Sequence, residues 1–200
     1  LQEEGEIDVQ DAASLLRNRF GKDDKDLGMG NPLAVNQLIA HHAVIFKPEQ
    51  LLVWVSTSPY QLGRFVAYDL KQVFSLKPTD ITADHEIYVS HLTIPADSFL
   101  YSKEYFDFTK YLELTGKLKE YSKSQTTIPE SFSTSYIQCN PQYYLTYLNL
   151  ADYYSDRNEP EKAYYYYQQA LSKEVAGQNK RNEIKILSKK ALKKLVSWSL

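Results

Sequence analysis

"VNQLIAHHAVIFKPEQLLVWVST", residues 35–57, holds two apolar runs separated by Lys-Pro-Glu-Gln. Both runs are rich in Val, Ile, Phe and Trp and have strand length, and Pro48 suits the second position of a tight turn. The spacing predicts a β-hairpin with strands over 35–46 and 51–57. One face of the first strand would carry Leu38, Ala40, His42, Val44 and Phe46, and the other Val35, Ile39, His41, Ala43 and Ile45. A sheet with one wet face alternates apolar with polar. Here both faces are apolar, so both are expected to be covered, as in a layered fold. The first 70 residues cannot supply those layers by themselves.

Upstream, "DVQDAASLLRNRF" (8–20) reads as a helix. Asp8 caps it, Val9, Ala12, Ala13, Leu16 and Phe20 form its apolar face, and Gly21 stops it. "GKDDKDLGMGNP" (21–32) is a loop rich in residues that break periodicity. Downstream, "FVAYDL" (65–70) is a third short strand, and residues 71–98 are mixed, with Pro78 and Pro95 interrupting any long element. "SKEYFDFTKYLELTGKLKEYSK" (102–123) is helical, with Gly116 as its weak point. The polar stretch 124–135 is a linker. It divides the chain into residues 1–125 and residues 136–200.

The second part has a repeat-like pattern. Tyr147, Leu150, Ala151 and Tyr154, followed by Ala163, Tyr167 and Ala170, sit at the offsets of a tetratricopeptide helix pair. Ala151 and Ala163 let the helices approach, "DRNEP" makes the turn, and Pro160 fits a first helical turn that needs no amide donor. A last helix over 180–198 caps the open end. One such unit cannot bury its own apolar face, so it docks on the preceding residues or on a partner. Ten of the 17 tyrosines lie between residues 136 and 167. The run Tyr164–Tyr167 faces every direction round its helix, so a tyrosine besides Tyr167 is expected to be taken up within the chain.

The composition, 43% hydrophobic and 24% charged, is that of an ordinary globular chain. A net charge of −2 argues against a nucleic-acid partner bound through its phosphates. No apolar run approaches the roughly 18 residues of a membrane span. The basic run over 180–194 places Ile184, Leu187, Ala191, Leu195 and Trp198 on one stripe and its lysines on the other face, which is expected to be solvated. "LQEEGEID" has no initiator methionine and no signal-like segment, so the chain is expected to be part of a longer product.

Four residues are candidates for a site. His42 is the leading one, with His41 beside it, and Asn31 and Asn36 flank the loop into the first strand with amide donors to offer. Against this stands the ordinary neutral, hydrogen-bonded histidine of a buried strand. Neighbours in a strand face opposite ways, so His41 and His42 do not share a metal ion. His85 and His91 follow no metal-site spacing and read as surface residues. "GMGNP" does not open a phosphate-binding helix, and Cys139 has no activating neighbour. Neither a metal nor a cofactor is expected.

Residues 28–70, "GMGNPLAVNQLIAHHAVIFKPEQLLVWVSTSPYQLGRFVAYDL", resemble the C-terminal half of N-terminal-nucleophile (Ntn) hydrolases. More narrowly, they are similar to the acyl-coenzyme A:6-aminopenicillanic acid acyltransferase and choloylglycine hydrolase relatives of bacteria. The "AASLLRNRFG" helix shares the likeness, which covers roughly residues 8–100. The resemblance implies an α+β chain: a partial αββα sandwich built on the hairpin, followed by the tetratricopeptide-like tail. It implies cleavage or transfer at a linear amide bond, with an N-terminal cysteine as nucleophile and its own α-amino group as base. It places a basic or imidazole side chain near the start of the hairpin strand, where His42 matches; the small hydroxyl residue that often follows it in relatives is Ala43 here. The chain begins with Leu1 and its cysteine is internal, so the resemblance implies a fragment inactive without an upstream half or subunit of the same precursor. Its substrate would then be a small amide. The alternative is a non-catalytic interaction module that docks a protein through the tyrosine-rich helices.

Overall fold

A computed structural model describes residues 7–77 and 86–198, except for the side chain of Trp198. Its contacts divide the chain into two units, one drawn from Leu1–Asn18 and Val35–Leu100, the other from Arg19–Ala34 and Tyr101–Leu200. The division therefore falls near residue 100 and not in the stretch 124–135. Residues 124–135 are no linker: Ile128 and Phe132 are buried, and a short helix begins at Phe132.

The first unit is built on a three-stranded antiparallel sheet, β1 (Val44–Lys47), β2 (Leu52–Ser56) and β3 (Phe65–Asp69), in the order β1-β2-β3. Val44 pairs with Val55 and Val55 with Val66; Ile45 pairs with Trp54 and Trp54 with Ala67. Pro48–Gln50 form a 3-10 turn, closed by Leu51 in the left-handed region. Helix α1 (Val9–Leu16) has a capping box: the Asp8 carboxylate accepts from the Asp11 amide at 2.8 Å, and Asp11 answers at 3.1 Å. That amide holds the Asp8 carboxyl below its usual pKa. α1 ends at Leu16, before the expected Phe20, because Arg17 leaves the helix to tie the unit together. Its guanidinium donates to the carbonyls of Gly63 and Pro95, both at 2.7 Å, and lies 5.1 Å from the Phe65 ring centre.

Ala13 of α1 packs with Ala43, Ile45, Trp54, Phe65, Ala67 and Ile94 on one sheet face. The edge of β3 is closed by backbone bonds from Phe65 to Ile94 and from Val89 to Ala67. The opposite face carries Val44, Phe46, Val53, Val55, Val66 and Tyr68. Of these only Val53 is buried, while Val44 is 44% and Phe46 64% exposed. The expectation that both faces are covered is thus corrected for the described residues: one face is covered and the other, though apolar, is open.

The first strand is also shorter than its composition predicts, starting at Val44 and not at residue 35. The buried Asn36 side chain accepts from the Leu38 amide at 2.9 Å, and Leu38 takes a left-handed conformation at φ 52°. Such side-chain bonding offers the backbone an alternative to the ladder. After β3 comes α2 (Leu70–Ser75), capped by Asp69. Pro78 and His85 lie outside the described residues.

The second unit contains α3 (Lys103–Ser124), α4 (Phe132–Cys139), α5 (Tyr144–Asp156), α6 (Pro160–Leu171) and α7 (Gln178–Trp198). α3 runs straight through Gly116. α5 and α6 form a hairpin across a three-residue turn, with Ala151 and Ala163 fully buried between them. Ile184 and Ala191 of α7 are buried with Leu187 and Leu195 beside them, and its lysines from Lys185 onward are exposed, as the stripe predicts. No described helix is long and apolar enough to cross a membrane.

Much of this unit's interior is tyrosine, and the hydroxyls are accommodated, as buried phenols require. Tyr111 and Tyr136 stack at 5.0 Å. Tyr136 is bonded to Thr115 and Asn149, both at 2.9 Å, and Tyr167 donates to Asp152 at 2.8 Å. Burial raises the pKa of Tyr111, Tyr143 and Tyr167. The 19–34 segment docks here through Asn140, which donates to the Met29 carbonyl at 2.8 Å and accepts its amide at 3.0 Å. Gly28, at φ 75°, lies so close to the Tyr143 backbone that a Cβ would stand 2.2 Å from its nitrogen.

Candidate functional site

The two histidines sit where the sheet ladder gives out, and Ser56 is the reason. Its amide donates to the Ala43 carbonyl at 2.9 Å, while the Ala43 amide donates to the Ser56 hydroxyl at 2.7 Å instead of to its carbonyl. The freed Ser56 carbonyl lies 3.0 Å from His42 Nδ1. A carbonyl only accepts, so Nδ1 carries the proton. In the neutral ring Nε2 is then an unprotonated acceptor.

His41, His42 and Ala40 line an open pocket of about 230 Å³, whose other wall is Ser58, Pro59 and Tyr60. Both histidines are exposed, so neither is the buried core residue that strand burial would have made it. They also lie outside the strand and share one pocket, which removes the reason given for separating them. Among the described residues no group of three or more His, Cys, Asp or Glu is placed to hold a metal ion.

The wall opposite is held under constraint. Tyr60 and Gln61 are consecutive left-handed residues at φ 49° and 68°. Such backbone costs about 1–3 kcal/mol per residue and persists only where its surroundings enforce it. The enforcement is visible: Asn36 Nδ2 donates to the Tyr60 carbonyl at 2.9 Å, and Arg17 holds Gly63. A Cβ on Gly63 would come within 2.2 Å of Thr57 Oγ1, so this loop closes only around glycine.

Asn36 is therefore brought to the pocket as a buried strut behind Tyr60. Asn31 is not brought there: it belongs to the other unit, is fully buried, and donates to the carbonyls of Leu27 (3.1 Å) and Glu174 (3.0 Å) while accepting from Leu33. Its placement gives no support to substrate contact. Ser56 was missed in the sequence, where it reads as the polar end of a strand. The predicted strands, joined by residues 47–50, would set Ser56 opposite His41; the observed register, Val44 against Val55, sets it against Ala43.

The second unit holds a larger cleft, of about 840 Å³. One wall is residues 127–130 with Ser133 and Thr134 of α4; the other is Tyr154 of α5 with Glu159, Glu161, Lys162, Tyr165 and Tyr166. The first wall is fixed. Tyr153 accepts from the Ile128 amide at 3.0 Å, and Arg157 donates to the Gln125 carbonyl and the Thr127 hydroxyl, both at 2.9 Å. On the second, Tyr154 and Tyr166 stack at 5.6 Å with rings 6° apart, and Tyr165 meets Tyr166 edge-on at 5.1 Å. Tyr166 is thus the further tyrosine taken up within the chain. Cys139 is buried and lines neither pocket, and burial raises its pKa.

No protein-family model matches this chain, and neither a curated protein nor a solved structure does.

Proposed function

We propose that the chain is the C-terminal portion of an Ntn-type hydrolase or acyltransferase acting on linear amides, of the acyl-coenzyme A:6-aminopenicillanic acid acyltransferase and choloylglycine hydrolase kind. The observation that carries the reading is the sheet itself: one face packed, the other apolar and open. An αββα sandwich needs a second sheet against such a face, and an upstream half or subunit of the same precursor would supply it. The pocket supports the same reading. At about 230 Å³ it is smaller than the 300–1,000 Å³ of complete small-molecule sites, as expected of the edge of a site shared with another half.

In the complete enzyme an N-terminal cysteine thiol attacks the amide carbonyl and its proton passes to the α-amino group. The α-ammonium then gives that proton to the amide nitrogen, the tetrahedral oxyanion collapses to a thioester with loss of the neutral amine, and water or a second amine takes the acyl group and releases the thiol. This chain contributes His42, whose Nε2 accepts a hydrogen bond from the substrate or the α-amino group. Asn36 and Ser56 position the pocket walls, and α5 and α6 form a tetratricopeptide-like tail.

The test is turnover of a panel of N-acyl amino acids and N-acyl amines by the protein with its upstream sequence. Expected is a mature N-terminal cysteine, with His42→Ala lowering kcat/KM at least about tenfold at unchanged melting temperature. A mature protein without that cysteine, turning over no amide, would sink the proposal. The second reading, an interaction module, is favoured by one observation, the cleft beside α6.

A further inference from the structure

We propose that the cleft beside α6 binds a lysine or arginine side chain presented on an extended peptide segment of a protein partner. The inference deepens the interaction-module reading and is independent of amide chemistry.

Three carboxylates, Glu130, Glu159 and Glu161, line the cleft against one ammonium, Lys162. Glu159 is already matched, 2.7 Å from Lys162 and 3.9 Å from Arg157. Glu130 and Glu161 enter no ion pair among the described residues, so the cleft as it stands is short of positive charge. It also offers ring faces, the second requirement for holding a cation. The chain already uses this chemistry at the spot: the Lys162 ammonium lies 4.9 Å from the centre of the Tyr154 ring. Tyr165, 56% exposed, extends the same aromatic surface outward.

Size argues for a peptide over a small free cation. An ammonium or guanidinium fills only a small part of about 840 Å³. The remaining space runs between a pinned wall, residues 127–130, and the exposed side of α6, with Ile128, Pro129 and the tyrosine rings offering apolar contact to a backbone and its neighbouring side chains. The 127–130 wall is pinned and Tyr154 and Tyr166 are stacked before any ligand arrives, which limits the ordering cost of binding.

The test uses the full chain with tyrosine rings isotopically labelled, titrated with acetyl-Gly-Lys-Gly-Arg-Gly-amide and, in parallel, with the same peptide carrying norleucine at both basic positions. Expected are saturable shifts of the Tyr154, Tyr165 and Tyr166 ring signals with the basic peptide alone. Tyr165→Leu and Glu161→Gln, both surface changes, should each weaken binding by about threefold to tenfold and leave the signals of the buried Tyr136 and Tyr167 in place. Equal shifts with the norleucine peptide would overturn the proposal, as would no saturable shift, or binding by Tyr165→Leu as tight as wild type. Such a failure leaves amide turnover by the complete protein unaffected, and loss of turnover would leave peptide binding intact.

Discussion

The sheet unit and the helical unit handle their large side chains in opposite ways. In the sheet unit, side chains that any hydropathy scale would send inside, Val35, Ile39, Val44 and Phe46, stand in solvent. In the helical unit, tyrosines with a polar group to satisfy go fully inside, and Tyr136, Tyr153 and Tyr167 are among the most deeply buried side chains. Burial follows the availability of a partner and not hydrophobicity alone. The helices give Tyr136 and Tyr153 a neighbouring ring and an atom to bond, and Tyr167 the Asp152 carboxylate. The second face of the sheet is covered only in part: Val53 is buried, while Val44 and Phe46 find no cover among the described residues.

Truncation should expose the contrast most strongly at Tyr136. Tyr136→Ala removes a stacked ring and two hydroxyl partners, and should cost about 3–5 kcal/mol in urea unfolding followed by circular dichroism. A cost below about 1 kcal/mol would mean that the tyrosine core is loosely packed. Tyr153→Phe keeps the ring but orphans the Ile128 amide, and about 1–2 kcal/mol is expected from the same measurement.

Asp152 gives a smaller effect with a definite sign. Burial raises its pKa above 3.8, so the folded state holds the proton more tightly than the unfolded one. That contribution is complete below the unfolded pKa and is lost as pH rises through the raised value. The melting temperature of wild type should therefore fall relative to Asp152→Asn as pH rises from about 4. A pH-independent difference between the two would contradict it. Smallest of all, Phe46→Ser should change the stability of this chain by less than about 0.5 kcal/mol. On the proposed reading, the same change in the protein with its upstream sequence should cost severalfold more, and comparing the two unfolding curves tests that reading.

The hairpin was legible because Val, Ile and Trp cluster on either side of a proline turn, and the α5–α6 pair because its alanines and tyrosines recur at helical offsets. The lost half of the first strand was not legible. Nothing in Val35–Ala40 looks unlike a strand until Asn36 is seen bonding Leu38 and Tyr60, a choice made by tertiary contacts. α4 was hidden for the opposite reason: its sequence, Phe-Ser-Thr-Ser-Tyr-Ile-Gln-Cys, is polar and helix-indifferent, and it is helical because Phe132, Tyr136 and Cys139 share a buried side. The tautomer of His42 was not legible, since it depends on which way the Ser56 carbonyl turns.

Arg17 also sets a timetable. The sheet unit is tied by a bond from Arg17 to Pro95, 78 positions apart, whereas the α5–α6 hairpin needs only neighbours in sequence. Folding rate falls as contacting residues lie further apart along the chain. During synthesis the Arg17 tie therefore stays incomplete until residue 95 has emerged, and the outer edge of β3 stays bare until Val89 and Ile94 reach it. The helix pair closes quickly once made. Residues 19–34 of the helical unit wait longer still, since Met29 meets Asn140 and Asn31 meets Glu174 only 111 and 143 positions on.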